Sequence, residues 1–436
     1  LLRSLSDYDK HFGSRVAYGM RDTVETYFRS GGVAVNMIRI VGPAATRATV
    51  NLPGAAAAAS LAVDSVGQGT STFSVSATLT GSTFVLSVFD DGVLLRSSPP
   101  LTLPTDAVTW ASNDPHIRVR AIGSVVPVTS SEVDLAGGDD DRASVTDTHR
   151  IAALNLIPAA AGPGQVSIPG ATTLAAHIGV ILHAEANNRF ALLDAPDTAT
   201  VSTLTAAADS IRADVTDAQE SRSFLVEGWH LIPGVTPGTT RVVPPTSVVS
   251  ALMAAQDVVT GNPNDPAAGV NGIARFSLGV SHPAWSDATR GVLNLAGVNV
   301  FREVGGVQRL YGYRTLVAPN GPEAGWLSAA NSRLRMAIQS EADEAAESFV
   351  FSQITQTKIA EYNGVLTGLL LGYYNLGALF GDSPDDAFVV DTGTTVNTVE
   401  RLAERRLSAV VGLRMSEFAE VVYMEFVKIP VTEELT

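Results

Sequence analysis

The order of apolar and polar positions changes period several times along the chain, and each change marks an element. Residues 5–29 carry helical spacing, with Asp22 placed to cap a turn and Val24, Tyr27 and Phe28 falling on one side. The pair Gly31-Gly32 ends that pattern, and the branched residues of 33–41 predict a strand. Beyond Gly42-Pro43 the period becomes two. Phe73, Val75, Ala77 and Leu79 alternate with Ser and Thr, and Ile117, Val119 and Ala121 alternate with His116, Arg118 and Arg120. Residues 84–89, the turn Asp90-Asp91-Gly92 and then Val93-Leu94-Leu95 predict a hairpin. Residues 44–145 thus read as a small antiparallel β domain inserted into a larger fold, with 55–59 a loop or short helix and 137–141 a flexible turn.

From His149 onward strand-like and helix-like stretches alternate. Strands are expected at 151–157, 190–193, 223–229, 297–302 and 310–316, and helices at 173–186, 201–218 and 245–259, the last opening on Pro245. Such alternation predicts a parallel or mixed sheet with helices on its faces. Two helices follow, near 326–347 and 355–373. In the second, Ile359, Tyr362, Leu366, Leu369 and Tyr373 step by three and four and form one apolar face. A strand at 387–391, a helix near 396–405 and strands at 407–413 and 420–429 complete the chain. In the last of these Val421, Val422, Tyr423, Met424, Phe426, Val427 and Ile429 make both faces apolar, so it needs a partner sheet. A central strand of its own domain and a strand exchanged with another subunit both meet that need. The fold class is mixed α/β and multidomain: a core of 1–43 with 146–320, the insertion at 44–145, and a C-terminal α/β domain at 321–436 ending in a strand arm.

Composition narrows the function. At 436 residues the chain allows two to four domains of roughly 100–200 residues each. Only 17% of residues are charged, where about 25% is usual, and mean hydropathy is +0.19, so much of the surface calls for cover by another subunit. A formal charge of −15, with lysine only at Lys10, Lys358 and Lys428, argues against a broad nucleic-acid footprint. The absence of cysteine excludes disulfides, thiol nucleophiles and thiolate metal sites. The chain opens Leu1-Leu2-Arg3-Ser4, without the basic head and long apolar run of a signal peptide. The most apolar stretch, 365–380, is broken by Gly368, Gly372 and Asn375 and falls short of the ~20 residues of a membrane span, so it reads as a buried helix.

Motifs that carry chemistry are missing or broken. No lysine follows a glycine, so there is no phosphate-binding P-loop. Gly67-Gln68-Gly69 starts a dinucleotide fingerprint, but Thr72 stands at the third glycine position. Gly279-Val280-Ser281-His282-Pro283 fails as a nucleophile elbow because Pro283 replaces the second glycine. His177 and His183, six apart on a helix, lie about 240° round its axis and do not converge on one ion. Asp139, Asp140 and Asp141 lack the calcium-loop spacing, and Asp385 and Asp386 read as cap or surface groups. No catalytic, cofactor-binding or metal-binding residue is assigned, and the chain is expected not to be an enzyme.

Several blocks, taken in order, resemble the contractile tail sheath family of phage tails, tailocins, contractile injection systems and, more distantly, type VI secretion sheaths. Phe12-Gly13, then 23–32 and 33–40, is similar to its helix, Gly-Gly and strand. Phe190-Ala191-Leu192-Leu193-Asp194-Ala195-Pro196 resembles its strand ending in Asp-x-Pro. Val243-Pro244-Pro245-Thr246 with Ala254-Ala255-Gln256-Asp257 resembles its proline pair before an Asp-bearing helix. Gly297-Val298-Asn299-Val300 with Tyr311-Gly312-Tyr313-Arg314-Thr315-Leu316 is the most telling pair. Gly377-Ala378-Leu379-Phe380-Gly381, Ala387-Phe388-Val389-Val390, Asn397 and Glu417-Phe418-Ala419-Glu420 keep the family order. The 44–145 segment matches only as a β-rich insertion.

The resemblance implies a structural subunit that polymerises helically around an inner tail tube and contracts to drive it through a target envelope. It implies partners in other sheath subunits by strand exchange through Val421, Val422, Tyr423, Met424, Phe426, Val427 and Ile429, in the tube protein, and in baseplate and tail terminator proteins. No nucleic acid, membrane insertion or cofactor is expected, and the place is the virion tail, assembled in the bacterial host cytoplasm. An extended N-terminal arm is expected to precede residue 1. The helix near 396–406 carries Glu400, Arg401, Glu404, Arg405 and Arg406, whose spacing sets opposite charges in adjacent stripes. These form either a tube-facing contact or a solvated face. The insertion is expected on the outside of the sheath. Another self-assembling virion shell or tube protein is the next reading, and an α/β enzyme without recognisable motifs the third.

Overall fold

The computed structural model describes residues 1–12, 19–198 and 200–420. The chain divides into two compact units, one of Ile38–Ala153 and one of Leu1–Met37 with the chain from Leu154 onward. Helices α1 (Leu5–Phe12) and α2 (Met20–Arg29) open the second of these. Gly31 has φ +103, and a Cβ there would come within 3.3 Å of Ala255, so the Gly-Gly stop allows a close approach that a larger residue would prevent. The strand expected at 33–41 is not formed. Only Val35 pairs, in a single bridge to Leu2, because among the described residues no strand runs alongside to complete a ladder.

The smaller unit holds β1 (Arg47–Pro53), β2 (Ala59–Gln68), β3 (Phe73–Thr80), β4 (Thr83–Asp90), β5 (Val93–Ser97), α3 (Pro104–Trp110), β6 (Ile117–Ala121) and β7 (Ser130–Asp134). They form two antiparallel sheets, β1-β2-β6 and β5-β4-β3-β7. Leu52, Leu61, Val63, Val75, Phe84 and Leu86 from both sheets fill one core, which is the two-layer solution for alternating strands. The expected hairpin joins β4 to β5, with Asp91 and Gly92 both at positive φ as a tight turn requires. α4 (Asp147–Leu154) replaces the strand expected at 151–157. A short apolar run does not by its period separate strand from helix, and here Ile151 and Leu154 are spaced as on one helix face.

The larger unit is built on a five-stranded sheet ordered β15-β14-β10-β9-β8. Its elements are β8 (Gln165–Val166), α5 (Leu174–Ala186), β9 (Phe190–Asp194), α6 (Val201–Asp214), α7 (Asp217–Glu220), β10 (Ser223–Val226), β11 (His230–Pro233), β12 (Thr240–Val243), α8 (Pro245–Thr260), β13 (Gly279–Val280), α9 (Asp287–Leu295), β14 (Val298–Val304) and β15 (Val307–Tyr311). β8, β9, β10 and β14 are parallel, and β15 returns antiparallel after Gly305-Gly306, ending at Tyr311 rather than running to 316 as expected. β11, β12 and β13 make a small antiparallel sheet. Both faces of the main sheet are covered. Ala191 and Leu193 pack with Val180 and Ile181 of α5 and Leu204 and Ala208 of α6, whereas Phe190 and Leu192 pack with Val248, Val249 and Met253 of α8. The period-two alternation of β9 therefore divides its residues between two cores.

α10 (Ala329–Ala346) and α11 (Gln356–Asn375) are followed by α12 (Pro384–Ala387), β16 (Phe388–Asp391), α13 (Val399–Ala403) and β17 (Val410–Leu413). Leu334 and Ile338 of α10 meet Leu370 and Tyr373 of α11 in a separate core, against which Phe388, Val390 and Leu413 pack. On α11, Ile359, Leu366 and Tyr373 of the expected apolar face are buried.

Candidate assembly site

Asp194 and Glu227 lie at or just beyond the carboxyl ends of the parallel strands β9 and β10, and each is tied into structure. Asp194, at the end of β9, is buried and accepts from the Gly170 N–H at 2.8 Å, the Thr246 N–H at 2.8 Å and the Thr246 hydroxyl at 2.9 Å. Burial outweighs those donors and pushes its carboxyl up to about 6. It fastens the first turn of α8 to the sheet, which explains why the Asp-x-Pro and Pro-Pro-Thr blocks occur together. Glu227 and His282 form a buried pair at 2.7 Å, and the other His282 nitrogen lies 2.8 Å from the Pro283 carbonyl. Burial pulls the His282 imidazole down, but Glu227 and Pro283 accept from both nitrogens and raise it above the ordinary value. With both nitrogens donating, neither is placed to take a proton from Ser281, whose hydroxyl donates instead to Asp197 at 2.5 Å. His177 bonds the Asp194 carbonyl and His183 faces Arg189 at 2.8 Å, so the two histidines serve different contacts. Among the described residues no group of three or more His, Asp or Glu could hold a metal ion.

A second constellation lies where the described chain ends. Arg314 meets Glu420 through two nitrogens, at 2.9 and 2.5 Å. Asn331 of α10 donates to Glu417 at 2.6 Å, the Phe418 ring sits edge-on to Tyr313 at 6.3 Å, and the Asn264 amide donates to the Ser416 carbonyl at 3.1 Å. Ser416, Glu417, Phe418 and Glu420 are thus each held to the body. The anchor is itself braced. The fully buried amide of Asn299 on β14 accepts from the Arg314 N–H at 2.8 Å and donates to the carbonyls of Arg314, at 2.8 Å, and of Leu225 on β10, at 3.0 Å. Gly312, at φ +136, lets the backbone pass Asn299, whose oxygen would lie 3.0 Å from any Cβ there. Below it Arg333, buried, pairs with Asp257 of α8 and donates to the Tyr313 hydroxyl at 3.2 Å.

The residues expected to exchange between subunits, Val421, Val422, Tyr423, Met424, Phe426, Val427 and Ile429, lie outside the described residues. The described chain also contains a short sheet ahead of the exit segment. β16 and β17 pair antiparallel as a two-stranded sheet, with Val389, Val410 and Val411 exposed. Two strands alone are marginal, and further strands complete such a sheet. Of the charged group expected on one helix, Glu400 and Arg401 lie on α13, but the helix stops at Ala403. Arg405 adopts φ +62, which turns the chain out of helical geometry, so Glu404, Arg405 and Arg406 do not extend the two stripes. Arg401 donates to the Val396 carbonyl at 2.8 Å, and Arg406 lies 3.5 Å from Glu404. The anchors Asn331, Arg333 and Asn264 escaped the sequence reading, because nothing local marks a polar residue as a partner of one many residues away.

Neither a protein-family model nor a curated protein matches the sequence. Solved structures do. A sheath tail protein of Listeria innocua superposes with a TM-score of 0.67 at 11% identity, over 90% of this chain and 84% of that one. The sheath of an extracellular contractile injection system, PVC, in its contracted state gives 0.55 at 18% identity, over 65% and 75%. The contracted helical sheath of the anti-feeding prophage gives 0.51 at 15% identity, over 90% and 98%. The chain has the mixed α/β fold of contractile sheath proteins.

Proposed function

We propose that this chain is a structural subunit of a contractile tail sheath. It polymerises helically around an inner tail tube and shortens to drive that tube through a target envelope. The observation that carries the reading is the likeness of fold to sheath proteins over 90% of the chain. The braced exit at 416–420 supports it, since a segment shared between subunits needs a fixed root. The exposed valines of the β16–β17 sheet support strand addition, in which main-chain hydrogen bonds carry the link and alternate side chains fix its register. The role is mechanical rather than enzymatic, and its place is the tail. Its partners are further copies through 421–429, the tube, and baseplate and terminator proteins. The segment Glu400, Arg401, Glu404, Arg405 and Arg406 is the candidate tube contact, and the unit Ile38–Ala153 the candidate outer decoration. Energy for shortening is stored in contacts between copies, which hold two packings of one subunit.

Negative-stain electron microscopy of the purified chain, alone and with its tail components, tests this. Hollow striated cylinders are expected; uniform monomers in both samples would overturn it. A chain stopped after Glu420 should melt as the full chain does yet form no cylinders, and normal cylinders from it would refute strand exchange.

A further inference from the structure

Beside the exit segment lies a groove of about 320 Å³ lined by the loop 260–266, the turn 376–378 and residues 416–418. Its charged groups are of one sign. Asp265 and Glu417 bring carboxylates, and no lysine, arginine or histidine lines it. Each carboxylate is met only by a neutral amide, Asp265 by Gln256 at 3.1 Å and Glu417 by Asn331 at 2.6 Å, and neither has a cation within ion-pair distance among the described residues. Asn264, which also lines the groove, is 7% exposed. Its amide nitrogen is spent on the carbonyls of Ala378 and Ser416, which leaves its oxygen buried without a donor among the described residues. A buried acceptor without a donor carries a desolvation cost that an incoming N–H group relieves. Leu376, Pro266 and Phe418 add apolar walls. A partly apolar groove that carries carboxylates suits a long stem with a cationic, multi-donor head.

We propose that this groove takes the guanidinium or ammonium group of an arginine or lysine presented by a second copy of the chain. The choice of a second copy rests on the sheath reading above. The groove shares Ser416, Glu417 and Phe418 with the root of the segment assigned there to exchange, so it continues that interface. Copies also carry suitable donors: the Arg118 guanidinium, for instance, meets only the Ser112 and Asp114 carbonyls among the described residues. A cation seated here bonds Glu417 while Asn331 holds it, and so bears directly on the exit.

The test uses the full chain and three probes, N-acetyl-arginine amide, N-acetyl-lysine amide and the neutral isostere N-acetyl-citrulline amide, followed by ligand-observed NMR below the assembly concentration. The cationic probes should bind about threefold or more tighter than the citrulline probe, and the double variant Asp265→Asn with Glu417→Gln should remove that preference. Both substitutions keep an acceptor for Gln256 and Asn331, so the melting profile should be unchanged. The concentration needed for half assembly should rise by a similar factor in the variant, and the difference should shrink in high salt. Equal binding of charged and neutral probes would overturn the proposal. Normal assembly of the variant would overturn the second copy as the source. A wild-type chain that forms no cylinders but keeps the probe preference would refute the sheath reading and the second copy together, while upholding the cation site.

Discussion

Asn299 does three jobs with one side chain, and its removal should show what they are worth. Asn299→Ala leaves the Arg314 N–H and two carbonyls without partners in a buried setting, and should cost about 2–4 kcal/mol in urea unfolding. His230 gives a second measurable effect. It is buried against the Phe301 ring at 4.2 Å, its Nδ1 faces the Ser277 hydroxyl at 2.8 Å, and its other nitrogen has no partner among the described residues. Burial depresses its imidazole to about 3. The unfolded chain takes up that proton below about 6.5 while the folded chain does not, so stability is lost as pH falls from 6.5 towards 3. His230→Phe should flatten the acid side of the melting profile relative to wild type, and parallel profiles would contradict this. Asp194 acts with the opposite sign. Its carboxyl is raised, so its contribution is complete below about 3.8 and is lost as pH rises through about 6. Of these groups the sequence marked Asn299 and Asp194 by their place in family-like blocks. It did not mark His230, since a lone histidine beside a strand carries no sign of what buries it.

At the level of elements, the legible parts are those whose period is long and whose partners are near. The helix N-capped by Thr173, the hairpin of β4 and β5 and the apolar face of α11 follow from local pattern. Residues 33–41 mislead because branched residues express a preference that only a neighbouring strand can satisfy, and among the described residues no ladder forms beside them; residues 151–157 mislead because a short apolar run fits a helix face as well as a strand. The stripes expected at 400–406 fail for a local reason, the positive φ of Arg405, which spacing alone does not reveal. The exit segment offers a test at this scale. Arg314→Ala removes a partly buried ion pair at the body's surface and should lower monomer stability by about 1 kcal/mol. Its effect on assembly should be far larger, because the direction in which the chain leaves the body is no longer set. Light scattering with and without the substitution separates the two, and equal assembly rates would show that the root needs no anchor.

Across the whole molecule, two units with separate cores predict separate folding. Residues 38–153 contain both antiparallel sheets and the core between them, so that segment expressed alone should give one cooperative thermal transition. A broad, non-cooperative melt would mean that its core is incomplete without the rest of the chain. The doubly covered main sheet was legible as a class from strand–helix alternation. Which strand neighbours which was not, since the order β15-β14-β10-β9-β8 depends on crossovers that no local pattern encodes.

The route from Glu420 to Arg314, from Arg314 to Asn299 and from Asn299 to the Leu225 carbonyl also defines a load path. A pull on the chain beyond Glu420 enters the body through a side-chain hook. From there it passes along β14 and β10, which lie side by side in the middle of the sheet. Tension is therefore taken up by parallel strands loaded together, and an edge strand is spared from being peeled away one bond at a time.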